Sequence, residues 1–299
     1  MSSDTILAQL QQAVALHQQG RLGDAQNLYR QILGVQPAHF DALHYLGILT
    51  FQAGNPTEAA ALIGRANEVN PGDAQARFHH GVVLNALNQY DAAVAEYDHA
   101  IRLAPTYDEA YVNRGNALDA RKLFEEAIDS YTQALRFLPS HAETYNNRGN
   151  TQKMLGRIDD AAADFDKAIS LKPNYADAYV GRADIAWRKG EIEVAIAHFD
   201  KAIQYSPKNA RLHIDRGNAL GDLKRLESAL ASYDTAIQIN PNLAEAHNNR
   251  GKILNDMRRR GAVRLSQSGP DSAESAFCLR HAAAYADDDC RLARLRCPL

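Results

Sequence analysis

Cysteine is nearly missing from this chain. Three occur in 299 residues, Cys278, Cys290 and Cys297, all within the last 22. Their odd number and their spacings match no common zinc or disulfide framework, so the fold must be held by packing, and the usage fits a reducing compartment. Long apolar runs are absent too: no stretch approaches the roughly 18 residues that a spanning helix needs. The N-terminus, with Asp4 and no basic segment before it, lacks the opening of a secretory signal. A soluble, cytoplasmic protein away from the membrane is the expectation. An excess of charge of one sign is also lacking, since 33 Lys and Arg face 36 Asp and Glu for a net charge of −3. Phosphate-backbone binding normally needs a basic surplus, which argues against nucleic acid as a partner.

Chemistry-bearing motifs are equally scarce. No G-x-G-x-x-G, Walker-type loop, nucleophile elbow or HExxH occurs. His79 and His80 are neighbours on one predicted helix, so their side chains diverge by about 100° and do not assemble a ligand set. Trp187 and the tyrosines fall at helical spacing and read as packing residues. No catalytic residue, metal or cofactor is expected, and the chain is not read as an enzyme.

What the chain does have is a period. Pro37, Pro71, Pro105, Pro139, Pro173, Pro207 and Pro241 stand 34 residues apart, and only three further prolines exist. Ten residues after these prolines a tiny residue recurs as Gly47, Gly81, Gly115, Gly149, Ala183, Gly217 and Gly251. A second small residue recurs as Ala25, Ala59, Ala93, Ala127, Ala161, Ala195 and Ala229. Each of these is followed four positions later by a large residue (Tyr29, Ile63, Tyr97, Tyr131, Phe165, Phe199, Tyr233) and three later again by Ile32 or an alanine. That i, i+4, i+7 stripe is the buried face of an amphipathic helix. Between the two helices of each unit come Gly20, Gly54, Asn88, Lys122, Gly156, Gly190 and Lys224, and glycine or asparagine there suits the left-handed conformation that closes a helix. The two lysines are less suited to it. The proline then prevents the second helix from continuing.

This arrangement resembles the tetratricopeptide repeat over residues 6 to 257. The units run 6–39, 40–73, 74–107, 108–141, 142–175, 176–209 and 210–243, with a partial unit at 244–257. The resemblance implies an all-α solenoid, a right-handed superhelix of antiparallel helix pairs, whose first helices line a concave groove that binds an extended peptide or protein segment. One helix pair cannot bury its apolar faces alone, so neighbours must stack.

On the predicted first helices a polar motif returns: Asn113-Arg114-Gly115-Asn116, Asn147-Arg148-Gly149-Asn150, Asp215-Arg216-Gly217-Asn218 and Asn249-Arg250-Gly251-Lys252, with Gly181-Arg182-Ala183-Asp184 as a variant. Asparagine is a mediocre helix former, and its side chain offers one acceptor and two donors that can pair with a peptide main chain. The row is similar to the asparagine ladder of O-GlcNAc transferase superhelices. By that likeness Asn113, Asn147 and Asn249 grip a peptide backbone, Asp215 is a charged variant and Gly181 interrupts the ladder. Asn116, Asn150, Asp184 and Asn218 join them as candidate peptide-binding residues. The plain alternative is that these amides are solvated copies left by duplication. In the earlier units the ladder position holds Tyr45 and His79, which confines the grip to the later repeats.

The arginines of the motif stand where the family usually has leucine. Sixteen residues before four of them comes an aspartate (Asp98, Asp166, Asp200, Asp234), with Thr132 as the exception. That spacing predicts pairing across the junction between repeats, with the stem packed on apolar surface, in preference to binding an acidic ligand.

The opening units, with Leu16-His17-Gln18-Gln19-Gly20-Arg21-Leu22 and Asp41-Ala42-Leu43-His44-Tyr45-Leu46-Gly47, also resemble the N-terminal repeats of bacterial SPINDLY-like O-GlcNAc transferases. On that alternative the chain is the substrate-recognition region of a glycosyltransferase whose catalytic domain it does not contain. After Met257 the pattern stops. Residues 258–299 hold eight Arg, no Lys and every Cys, for a net charge of +3 against −6 for residues 1–257. This segment reads as an irregular or capping tail, with a helix over 272–285 as one form of it, or as a stretch read out of frame. An uncapped solenoid end is also open to self-association.

Overall fold

The computed structural model describes residues 3–267 of the chain, and among the described residues it contains fifteen helices and no strand. Ten lie in a first compact unit that ends at Asn174: α1 (Ser3–Gln18), α2 (Leu22–Val35), α3 (Phe40–Gln52), α4 (Pro56–Val69), α5 (Ala74–Ala86), α6 (Tyr90–Leu103), α7 (Asp108–Ala120), α8 (Phe124–Phe137), α9 (Ala142–Met154) and α10 (Ile158–Leu171). A second unit begins at Tyr175 and holds α11 (Ala176–Arg188), α12 (Ile192–Tyr205), α13 (Ala210–Asp222), α14 (Leu226–Ile239) and α15 (Ala244–Gln267). In both, each odd-numbered helix packs on the even-numbered helix that follows it. This is an all-α helical-repeat fold, and no described helix is long and apolar enough to cross a membrane.

The second helices form because their apolar residues return every turn. Ala25, Ala59, Ala93, Ala127, Ala161, Ala195 and Ala229 are wholly inaccessible to solvent, as are Tyr29, Ile63, Tyr97 and Phe165 four residues after the first, second, third and fifth of them. These side chains fill the space left by the small residue of the first helix. A Cβ added at Gly115 would sit 2.5 Å from Tyr131 Cε1, and one at Gly217 2.7 Å from Tyr233 Cε1. At Gly149, opposite Phe165, the approach relaxes to 3.1 Å. Alanine replaces glycine at Ala183, where the facing residue is again a phenylalanine, Phe199.

Every hairpin turns through a left-handed residue. The φ angles of Gly20, Gly54, Asn88, Lys122, Gly156, Gly190 and Lys224 all lie between 58° and 84°, so both lysines adopt a conformation that glycine takes at less cost. Around Asn88 the Asn88 N–H donates to the Asn85 carbonyl and the Gln89 N–H to the Leu84 carbonyl, both at 2.9 Å, which satisfies carbonyls that the helix end would otherwise leave bare. The corresponding position in the last repeat is Arg258, and no turn occurs there: α15 passes Met257 and continues to Gln267. The remainder of the tail, including the 272–285 segment and all three cysteines, lies outside the described residues.

Candidate functional site

In the first unit the polar motif falls on α7 and α9. Asn113 is half-buried, and its Nδ2 donates to the Glu109 carbonyl of its own helix at 2.8 Å. Asn116 Oδ1 accepts two bonds, from Tyr131 Oη at 2.9 Å and from Asn147 Nδ2 at 3.1 Å. The two asparagines therefore join successive first helices, and the buried tyrosine of the hairpin anchors them. Asn150 is exposed on α9, where the facing aromatic is Phe165 and no hydroxyl reaches it.

The second unit repeats the device once. Asn218 Oδ1 accepts from Tyr233 Oη at 2.7 Å and from Asn249 Nδ2 at 3.0 Å. Asp184 and Asp215, 31 residues apart like Asn116 and Asn147, stand in place of such an amide pair. Burial pushes the Asp215 carboxyl above its usual range; Arg211 opposes that shift, while Glu245 and Asp184 add to it. Arg211 bridges Asp215 at 3.0 Å and Glu245 at 2.6 Å, and Arg188 reaches Asp184 at 3.2 Å. The acidic side chains on this face are thus held by arginines of the same unit.

The arginine column pairs where its spacing predicts. Three of the four predicted aspartate pairs lie within one unit, and all three form: Arg114 with Asp98 at 2.6 Å, Arg216 with Asp200 at 2.5 Å and Arg250 with Asp234 at 2.6 Å. The exception also makes its contact, with Arg148 Nη1 donating to Thr132 Oγ1 at 3.0 Å. Sequence reasoning missed a second arm, sixteen residues downstream on the arginine's own hairpin. Arg114 donates to Ser130 Oγ at 2.5 Å, Arg216 to Ser232 Oγ at 2.7 Å, and Arg148 to both oxygens of Asp164 at 2.7 Å. The +16 offset is as regular as the −16 one, but its occupants vary too much in type to form a visible column.

The ladder positions of the early repeats behave differently. Tyr45 stacks on Tyr29 at 6.2 Å between ring centres. His79 Nδ1 meets Nε2 of the buried His44 at 2.8 Å, tying α3 to α5. Burial pulls the His44 pKa down to about 4 and lowers that of His79 as well. Neither His44 nor this pairing was singled out by the sequence.

Beside Asn113 a recess of about 440 Å³ opens in the first unit. Phe78 of α5, Val112 of α7 and Leu138 and His141 from the α8–α9 connection line it, together with Asp108, Glu109 and Asn113. These residues come from two successive repeats and lie up to 63 positions apart, which is why no contiguous motif announces the recess. Among the described residues no cluster of three or more His, Cys, Asp or Glu could hold a metal ion.

Family models described as tetratricopeptide repeat or TPR repeat match residues 16–77, 81–119, 108–141, 146–210 and 217–257. No curated protein matches. Among solved structures, YrrB, described as a TPR protein with an unusual peptide-binding site, is 24% identical, with a TM-score of 0.53 over 64% of this chain and 99% of that one. A tetratricopeptide repeat protein from Parabacteroides merdae is 19% identical, with a TM-score of 0.62 over 84% of this chain and all of that one. The C-terminal part of a TPR repeat-containing protein from Cytophaga hutchinsonii is 16% identical, with a TM-score of 0.67 over 80% and 98%. At these identities the likeness is one of fold.

Proposed function

The chain belongs to the tetratricopeptide repeat family, and from that premise we propose that it is a binding module that holds an extended segment of another polypeptide on the face formed by its first helices. The observation that carries this reading is the recurrence of asparagines on α7 and α9, with Asn116 bonded to Asn147 and Asn113 at the edge of an open recess. Asn116 Oδ1 is occupied by Tyr131 and Asn147, which leaves the Asn116 N–H groups and Asn147 Oδ1 as a neighbouring donor and acceptor. One peptide unit presents the complementary pair. Because the amides are already fixed to each other and to a buried tyrosine, little side-chain freedom would be lost on binding. In the second unit Asp184, Asp215, Asn218 and Asn249 extend the candidate set, with arginine-held carboxylates in place of one amide pair.

We read the role as binding rather than catalysis, since the amides on this face offer donors and acceptors, and Thr144, the hydroxyl that His141 meets at 2.7 Å, is wholly buried. A peptide array probed with the full chain, followed by titration of the peptides it selects, tests the proposal. The Asn113→Ala/Asn150→Ala variant, which spares the amide pair joining the helices, should weaken those peptides about tenfold, the scale of one or two hydrogen bonds to well-placed groups. Unchanged affinity would remove Asn113 and Asn150 from the grip and leave only the Asn116 and Asn147 pair. No bound peptide at all would remove the function.

A further inference from the structure

The recess beside Asn113 carries two carboxylates, Asp108 and Glu109, and its charge differs from that around Glu143, Asp184, Asp215 and Glu245 on other first helices. Glu143, Asp184, Asp215 and Glu245 each face a partner: Lys172 at 2.6 Å from Glu143, Arg188 at 3.2 Å from Asp184, and Arg211 bridging Asp215 and Glu245. Asp108 and Glu109 have no cationic partner among the described residues. Asp108 Oδ1 accepts from the Glu109 N–H at 2.7 Å, which holds that carboxylate at the mouth of the recess, and Glu109 is exposed. His141, the one other titratable lining group, bonds Thr144 Oγ1 at 2.7 Å and faces Glu143 at 3.7 Å. The floor is apolar: Phe78 is buried with its ring 4.9 Å from that of Tyr107, and Val112 and Leu138 complete it.

The recess in the matching register of the second unit, about 490 Å³, is lined instead by Lys208 and by the ion pair of Arg211 with Glu245, beside Ile214, Ile239 and Leu243. An acidic rim is therefore not a general property of this place in the repeat. It also agrees with the charge of the whole unit: residues 1–174 hold 20 Asp and Glu against 14 Lys and Arg, whereas residues 175–257 hold 11 of each.

We propose that this recess is a specificity pocket for a basic side chain, lysine or arginine, of the bound segment. The aliphatic stem lies on Phe78, Val112 and Leu138, the cationic head meets Asp108 and Glu109, and Asn113 at the edge takes the adjoining main chain. Long cationic side chains combine apolar and charged surface in this way, and an aromatic floor favours a cation above it. A recess of this volume admits one large side chain with room for water.

This inference rests on the peptide-binding reading above, and its test separates the two. Full-length chain is titrated with array-selected peptides in which each lysine or arginine is replaced in turn by norleucine, and the series is repeated with the Asp108→Asn/Glu109→Gln variant. One basic position should lose roughly three- to tenfold in affinity on replacement, the scale of partly exposed charge-assisted contacts. The variant should lose as much for the unreplaced peptide and nothing more for the replaced one. Peptides that bind equally well with norleucine at every basic position would overturn the pocket and leave the groove reading standing, whereas absence of all peptide binding would end both. A concentration-dependent dimer in sedimentation that the same variant abolishes would assign the recess to a second copy of the chain and also overturn the proposal. Circular dichroism of the variant confirms that the fold is kept.

Discussion

Arg148 meets Asp164 through two parallel hydrogen bonds, Nε to Oδ2 and Nη2 to Oδ1, each 2.7 Å, while its remaining Nη1 reaches back to Thr132 on the preceding second helix. One side chain thus ties its own hairpin to the one before it, and Asp164 in turn is almost wholly buried. Elsewhere in the family an apolar leucine serves this position. Here the junction between repeats is ionic and hydrogen-bonded, which makes it directional: the planar guanidinium accepts only a narrow range of helix placements.

Replacing Arg148 by leucine should therefore destabilise the first unit by about 3 kcal/mol or more, because Asp164 is left buried without its cation. The Arg148→Leu/Asp164→Leu double variant should recover most of that loss. Urea denaturation of wild type, both single variants and the double completes the cycle. If the double falls as far as the sum of the singles, the bidentate pair is not what the column is for.

The small residue of the first helix sets a second prediction. Gly115→Ala drives a methyl group into the Tyr131 ring and should cost about 1–3 kcal/mol by overpacking. Gly149→Ala, facing Phe165 at 3.1 Å, should cost less. Gly251→Ala, which meets nothing within 4 Å, should gain up to about 1 kcal/mol from helix propensity. Melting temperatures of the three variants in that order check the argument.

The tyrosine hydroxyls separate into two kinds. Tyr131 and Tyr233 donate to asparagines, but Tyr97 faces Val82 at the asparagine's register, and its buried hydroxyl finds no partner among the described residues. Tyr131→Phe should lose about 1 kcal/mol, whereas Tyr97→Phe should be neutral or stabilising. Equal losses in the two variants would show that the hydroxyl of Tyr97 is satisfied in solution.

Acid should weaken the first unit through His44. In the unfolded chain this imidazole takes a proton near pH 6.5, but in the fold only near 4, because burial and the neighbouring His79 oppose the charge more than Asp73 favours it. Between those values the unfolded state binds more protons, so stability is complete above the unfolded pKa and falls as pH drops towards 4. The depression corresponds to roughly 3 kcal/mol at most, and His79 shifts in the same direction. Urea midpoints measured from about pH 7.5 down to about pH 5 should fall for wild type and fall less for His44→Gln, whose amide can still donate to His79.

The repeat pattern was legible because it is local and one-dimensional. A 34-residue period, an i, i+4, i+7 stripe and a proline stop dictate helix pairs wherever they occur, and close packing at Gly115 or Gly217 demands the small residue that the sequence shows. The −16 aspartates were legible for the same reason, as one residue type at one offset. The lysines at 122 and 224 show how far periodicity prevails: both take the left-handed conformation because the flanking helices leave no other closure.

The partners of the polar side chains were decided by the tertiary structure. Asn147 was read as free to grip a peptide, yet its Nδ2 bonds Asn116, because stacking brings residues 31 apart within reach and a half-buried amide must find a partner. Likewise α15 runs on through Arg258, where the first seven repeats turn. The recess at Phe78, Glu109, Leu138 and His141 exists only once neighbouring repeats are stacked. Helical periodicity is settled within a few turns of chain, but which donor meets which acceptor depends on distances across the stack, and those the linear order of residues does not contain.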